Sequence, residues 1–355
     1  MKWTNKITRI LSVDCPIIQA PMFGVSTPEM VAAAAKAGCL GSLALGDLPA
    51  DKCVEAIHTT KQLTGAHFAV NIFVHEIPPI TDALKADYQK AKSFIEALAL
   101  ENKLKVHLPE ISAIQLNSYH EQVDAIIAEN CKLVSFTFGN LDAASIEKLK
   151  NNGTILIGTC TCVQEALQLE KSGIDIICVQ GIEAGGHRGT FTTENIPQIG
   201  GMSLLPQVAD SVKVPLIYAG GIYNAKILLA AQTLGAQGFQ VGSLLLGSKE
   251  SALKGFEKQR LRNLNEREIV LTKSFSGRYA RGVNNFFIET CEKEGFILPY
   301  PYQNKLTNEL RKAAKANSNA GFVSIWVGQA INEYSGQSTT AILEKLIADV
   351  AQAVG

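Results

Sequence analysis

The sequence predicts an α/β fold: a (β/α)8 TIM barrel with a smaller inserted capping domain. Two observations lead there. Eight short apolar runs of strand length recur between residues 16 and 240, nearly all followed by a helical stretch. From about Ser248 this rhythm breaks, and a charged, irregular stretch follows before one last amphipathic helix. A doubly wound open sheet shares the alternation, and strand count alone does not exclude it. The polar residues at the strand ends, taken up below, favour the barrel.

The elements follow in order. Pro16–Met22 is the first strand with its loop. Ser26 or Thr27 can cap the helix after it, Pro28 suits the first turn and Glu29 complements the positive helix end. That helix stops at Gly38. Leu40–Leu45 and His67–Phe73 are the next strands, with a helix from about Ala50 between them. Residues 76–110 hold Pro78-Pro79 and a charged helical segment, Asp82–Leu104, longer than an ordinary connection. The helix His120–Asn130 precedes strand Leu133–Phe138. Strand Thr154–Gly158, helix Val163–Ser172 and strand Asp175–Val179 follow closely. Strand Pro215–Ala219, helix Asn224–Leu234 and strand Gly238–Gln240 complete the series.

Beyond it, Lys249–Asn265 reads as helix, Glu268–Lys273 as a strand, and Ser274–Asn285 as a loop bearing glycine and arginine. Thr339–Val354 is an amphipathic helix returning to the barrel. The expected domains are therefore a barrel over 1–248, a substrate-covering insertion over 249–325 and a returning segment over 326–355.

Composition narrows the function. The chain has 355 residues, 46% of them apolar and 19% charged, enough to bury a large core. Its formal net charge is zero, so nothing points to nucleic acid or an anionic membrane as partner. The N-terminus lacks the apolar core of a signal peptide, and no run approaches a spanning helix. Eight cysteines are scattered, several within apolar strands (Cys15, Cys160, Cys178), as in a reduced cytoplasmic protein. Cys160 and Cys162 are two apart, which is not a zinc spacing, and no metal is expected. The expected partner is a small molecule. No interface signal stands out, so the oligomeric state stays open.

In a barrel, functional groups sit at the C-terminal strand ends. Those positions are Ala20, Pro21 and Met22; Asn71; Gln180; Gly185, Gly186 and His187; Gly220 and Gly221; and Gln240, Val241, Gly242 and Ser243. They are amides, glycines and one histidine, without the carboxylate pair of a glycosidase. The two last strands both end in glycine turns, where barrels commonly bind phosphate through backbone N–H groups. Ordinary tight turns would use the same glycines. Asn71 and Gln180 should point inward, where carboxamides suit the donor and acceptor edge of a flavin ring. Structural hydrogen bonding between barrel layers would also employ them. His187 is the natural proton acceptor or donor near neutral pH. No G-x-G-x-x-G follows the first strand, so a dinucleotide fold is disfavoured and a mononucleotide with one phosphate fits better.

Across nearly the whole chain these residues resemble the nitronate monooxygenase family. The resemblance rests on Gln19–Met22, Asn71, Gln180–Gly189, Ala219–Ile222 and Gln240–Ser243. Ser276–Arg278, Ala280–Gly282 and Tyr300–Asn304 are similar to its first class. The resemblance implies FMN as cofactor and oxidation of alkyl nitronates by O2, with propionate 3-nitronate as the substrate. It implies FMN contacts at Asn71, Gln180, Gly185, Gly220 and Gln240–Ser243, with the Met22 backbone beside the flavin and His187 catalytic. Tyr300, Tyr302 and Lys305 are candidates for the carboxylate end of the substrate. Two rival functions share the barrel: an FMN-dependent NAD(P)H:quinone reductase or enoyl-acyl-carrier-protein reductase, and a flavin-binding sensor without turnover.

Overall fold

Eight parallel strands form the barrel: β1 (Ile17–Gln19), β2 (Gly41–Gly46), β3 (Phe68–Phe73), β4 (Leu133–Thr137), β5 (Ile155–Cys160), β6 (Ile176–Gln180), β8 (Leu216–Ala219) and β9 (Gly238–Val241). The short strand β7 (Gly186–His187) lies in the loop after β6 and belongs to another sheet. The computed structural model describes residues 3–354. Its barrel order is β1-β9-β8-β6-β5-β4-β3-β2, and a parallel bridge between Ile18 and Leu40 brings the two ends together. The ring of eight parallel strands with interleaved helices is a (β/α)8 barrel, as the sequence predicts, and not an open doubly wound sheet.

Period-2 alternation within each strand builds two cores. Ile18, Ile157, Ile176, Cys178 and Ile217 point inward and fill the barrel, joined from below by Ile7 and Leu11 of the helix Lys6–Leu11. Ile17, Leu156, Ile177, Val179 and Leu216 point outward against the surrounding helices. Continuing the inward register one step past the packed layers places Asn71 and Gln180 at the barrel mouth. The first helix starts as its sequence suggests: Thr27 accepts from Met30 N–H, and Pro28 occupies the first turn. Helix Thr339–Val354 packs on Pro28–Lys36 and Ala225–Thr233, rejoining the barrel wall.

A third apolar cluster caps the barrel. It is not confined to 249–325. Tyr88, Ile95 and Leu98 of helix Asp82–Glu101 enter it, as do Val327 and Tyr334 downstream, beside Phe287, Leu306 and Leu310. The long segment after β3 thus packs into the cap.

The chain differs from expectation in three places. Lys249–Asn265 is helical only over Gly255–Arg262. A helix not expected from the sequence, Gly201–Ser211, follows β7 with Pro206 inside it. Ser274–Asn285 is not a loop throughout: β10 (Ile269–Thr272) pairs antiparallel with β11 (Ala280–Val283), and β11 pairs with β7. Arg281 and Gly282 give β11 no apolar alternation, so its strand character comes from its two partners rather than from its own residues.

Candidate active site

The small sheet sets the position of His187. Ala280 registers with His187 and Arg281 with Gly186, while Arg188 N–H donates to the Tyr279 carbonyl at 2.8 Å. Arg281 Nε reaches the Ile182 carbonyl at 2.9 Å. Beneath the loop, the buried Arg188 guanidinium donates to the carbonyls of Gly181 (2.7 Å) and Gln180 (3.0 Å). Gln180 itself is committed to the loop: its Nε2 donates to the His187 carbonyl at 3.1 Å and its Oε1 accepts from Gly189 N–H at 2.8 Å. Glycine is required at 185, where a Cβ would lie 2.5 Å from the Gly328 nitrogen.

The His187 ring stands among Phe138 (centroids 5.4 Å), Trp326 (5.4 Å) and Phe73 (6.2 Å), and its Nε2 lies 2.8 Å from Ser276 Oγ. Burial pushes its pKa down to about 3, and the neighbouring Arg278 and Arg311 charges act in the same direction. The ring is therefore neutral at physiological pH.

A cavity of about 410 Å³ opens at the C-terminal end of the barrel under the cap. It brings together Ala20, Pro21, Met22, Asn71, Gln180, Gly185, Gly186, His187, Gly220, Gly221, Gln240, Gly242, Ser243 and Tyr300. Asn71 Nδ2 donates to Ser135 at 2.9 Å, leaving Oδ1 for the cavity. Gly220 and Gly221 have φ of 149° and 64°, which glycine permits without strain. The N–H groups of Gly221, Ile222 and Ser243 meet no acceptor among the described residues. The nearby N-terminus of helix Gly201–Ser211 is already occupied: Gly201 N–H donates to the Glu183 carboxylate, which also accepts from the Tyr218 hydroxyl. Residues with unpaired backbone donors thus line the cavity where β8 and β9 end.

Three expected contacts lie elsewhere. Val241 is fully buried with its side chain in the outer core, and its carbonyl accepts from Ala20 N–H at 2.9 Å. The Tyr302 hydroxyl is spent on the Pro78 carbonyl at 2.6 Å. Lys305 pairs with the buried Asp47 at 3.0 Å. None of the three lines the cavity. Of the carboxylate candidates only Tyr300 does. Its hydroxyl is buried without a close hydrogen-bond partner among the described residues, and burial and the nearby Asp47 carboxylate raise its pKa, so it remains a donor.

Sequence reasoning missed Arg311, which lines the cavity on helix Tyr302–Ala316 beside Asn304 and Asn308. Its Nη2 donates to Asn304 Oδ1 at 2.9 Å, and its Nη1 has no partner among the described residues. Burial lowers its pKa to about 10, which still leaves it cationic at neutral pH. In sequence, Asn304, Asn308, Arg311, Lys312 and Lys315 form a polar stripe at helical spacing, indistinguishable from a solvated face. Arg278 was noticed only as part of a family-like stretch. It is buried, donates to the Thr190 carbonyl at 2.6 Å and lies over the Phe138 ring.

Known proteins are similar to this chain over nearly its whole length. The family model for nitronate monooxygenase matches residues 4–349. A probable nitronate monooxygenase of Staphylococcus haemolyticus is 37% identical, the match covering 99% of this chain and 98% of that one. Another from Staphylococcus saprophyticus is also 37% identical, covering 98% of each. Among solved structures, nitroalkane oxidase from Streptomyces ansochromogenes superposes with a TM-score of 0.88 at 31% identity, over 99% of both chains. FabK from Thermotoga maritima shares the fold, with a TM-score of 0.77 at 24% identity over 99% of this chain and 97% of that one. The chain belongs to the nitronate monooxygenase family and is an oxidoreductase of that family.

Proposed function

We propose that this enzyme binds FMN and oxidises alkyl nitronates with O2, with propionate 3-nitronate as the substrate, giving a carbonyl compound and nitrite or nitrate. The observation that carries this reading is the composition of one cavity. It joins unpaired backbone N–H groups at Gly221, Ile222 and Ser243 to a neutral His187 and to the free Nη1 of Arg311. These unpaired N–H groups suit a phosphate that needs no side-chain cation. Asn71 Oδ1 suits the N–H edge of the flavin ring.

The chemistry that FMN supplies when bound is acceptance of electrons from the nitronate and their delivery to dioxygen. The chain's own groups bind and orient. Arg311 Nη1 and the Tyr300 hydroxyl hold the substrate carboxylate, with Arg278 and Arg311 favouring an anionic ligand overall. His187 is a poor base in the free enzyme, because general bases work best with a pKa near the working pH. A nitronate arrives already deprotonated and needs no such base, so nitronates are preferred to neutral nitroalkanes. His187, with Phe73, Phe138 and Trp326, orients the reacting end and excludes water. All eight cysteines are free, which suits a reducing cytoplasm, and no described helix is long and apolar enough to cross a membrane.

Oxygen uptake by flavin-loaded enzyme tests the reading. Arg311→Met should lower kcat/KM for propionate 3-nitronate by about 10- to 100-fold, the scale of a lost charge-assisted hydrogen bond, while ethyl nitronate changes little. Equal losses on both substrates would remove Arg311 from carboxylate recognition. No uptake by wild type with either nitronate would sink the function itself.

A further inference from the structure

We propose that Ser276, a cap residue, is a positioning residue that fixes the tautomer of His187: the proton sits on Nε2, and Nδ1 is the free acceptor. The inference rests on the proposed role of His187, but its test requires no turnover.

Ser276 is buried in the turn between β10 and β11. Its Oγ meets three groups: His187 Nε2 at 2.8 Å, the Arg278 carbonyl at 3.0 Å and the Arg278 N–H at 3.3 Å. The Arg278 N–H can only donate. The serine hydroxyl has one proton, and two acceptors compete for it. Sent to Nε2, it leaves the Arg278 carbonyl without a donor and puts the ring proton on Nδ1, which has no acceptor among the described residues. Sent to the carbonyl, it satisfies Arg278, and Nε2–H then donates to Oγ. The second arrangement completes three hydrogen bonds and leaves only Nδ1 without a partner. Buried polar groups favour the fuller pairing.

The same cap segment grips the backbone below. β11 registers Ala280 against His187, and the Tyr279 carbonyl accepts from Arg188 N–H. Ring and backbone are thus oriented by one short stretch, Ser276–Arg281. Any proton that His187 exchanges with a ligand passes through Nδ1, while Nε2–H stays on Ser276.

The test is a long-range proton–nitrogen NMR correlation on flavin-bound protein carrying ¹⁵N-histidine, with the His187 signals assigned by their loss in His187→Gln. Wild type at neutral pH should show a protonated Nε2 and a bare Nδ1, and Ser276→Ala should shift the ring to mixed or inverted tautomers. A wild-type ring protonated on Nδ1 would overturn the proposal, as would an unchanged pattern in Ser276→Ala. Should that variant not fold, the wild-type spectrum decides alone.

Discussion

Three guanidinium groups near the site, Arg188, Arg278 and Arg281, are buried, and their hydrogen bonds go to main-chain carbonyls. Of these, the Arg278 charge is felt by His187, together with that of Arg311, and burial adds the larger push. The sign of the pH dependence follows. The ring titrates near 6.5 in an unfolded chain, by the usual histidine value, but only near 3 in the fold. Between these limits the unfolded chain binds the extra proton. The stability contribution is therefore fully present above about 6.5 and is lost as pH falls toward about 3. His187→Gln should flatten the fall of the urea midpoint between these limits, and identical slopes for both proteins would contradict the assignment. For preformed nitronate, kcat/KM should show no inflection attributable to His187 in the pH range where ordinary histidines titrate. At this scale the histidine was legible from Gly185-Gly186-His187 alone. Arg278 and Ser276 were not, because their partners Thr190 and His187 are distant in sequence, and Arg311 was not, because its helix face reads as solvated.

The loop after β6 is held both by its own Gln180 and Arg188 and by elements outside it. β11 fastens it from the cap, and Val327 and Gly328 press on Gly185 from the far side. A Cβ at 185 would meet backbone, which cannot rotate away as a side chain can. Gly185→Ala should cost more than about 2 kcal/mol in thermal or urea unfolding, the range of severe overpacking. A change within about 0.5 kcal/mol would show that the strap formed by Val327 and Gly328 yields easily. The barrel strands were readable because each is a short apolar run, and their inward register followed from period 2. β11 was not, since Arg281 and Gly282 are strand residues only by virtue of β10 and β7. The positions of Tyr302 and Lys305 outside the cavity were hidden for a related reason. Helical phase turned one toward Pro78 and the other toward Asp47, and neither contact has a local signature.

Across the whole molecule, the cap draws its core from helix Asp82–Glu101, from the segment after Ser248 and from Tyr334. Alternation of apolar runs revealed the barrel, whereas the cap's several segments share no period that would tie them together. Between barrel and cap, the ends of β8 and β9 supply the backbone cradle. If that cradle holds the cofactor phosphate, apoprotein should bind FMN at least about 100-fold more tightly than riboflavin, roughly the 2.7 kcal/mol of two charge-assisted hydrogen bonds. Equal affinities would move the phosphate elsewhere. The central claim is that a nitronate, not a reduced nicotinamide, delivers electrons in this cavity. Anaerobic stopped-flow mixing of the flavin-loaded enzyme with propionate 3-nitronate, and separately with NADH, tests it most directly. Rapid loss of the oxidised flavin absorbance with the nitronate and slow loss with NADH is the predicted result; rapid loss with NADH and none with the nitronate would contradict it.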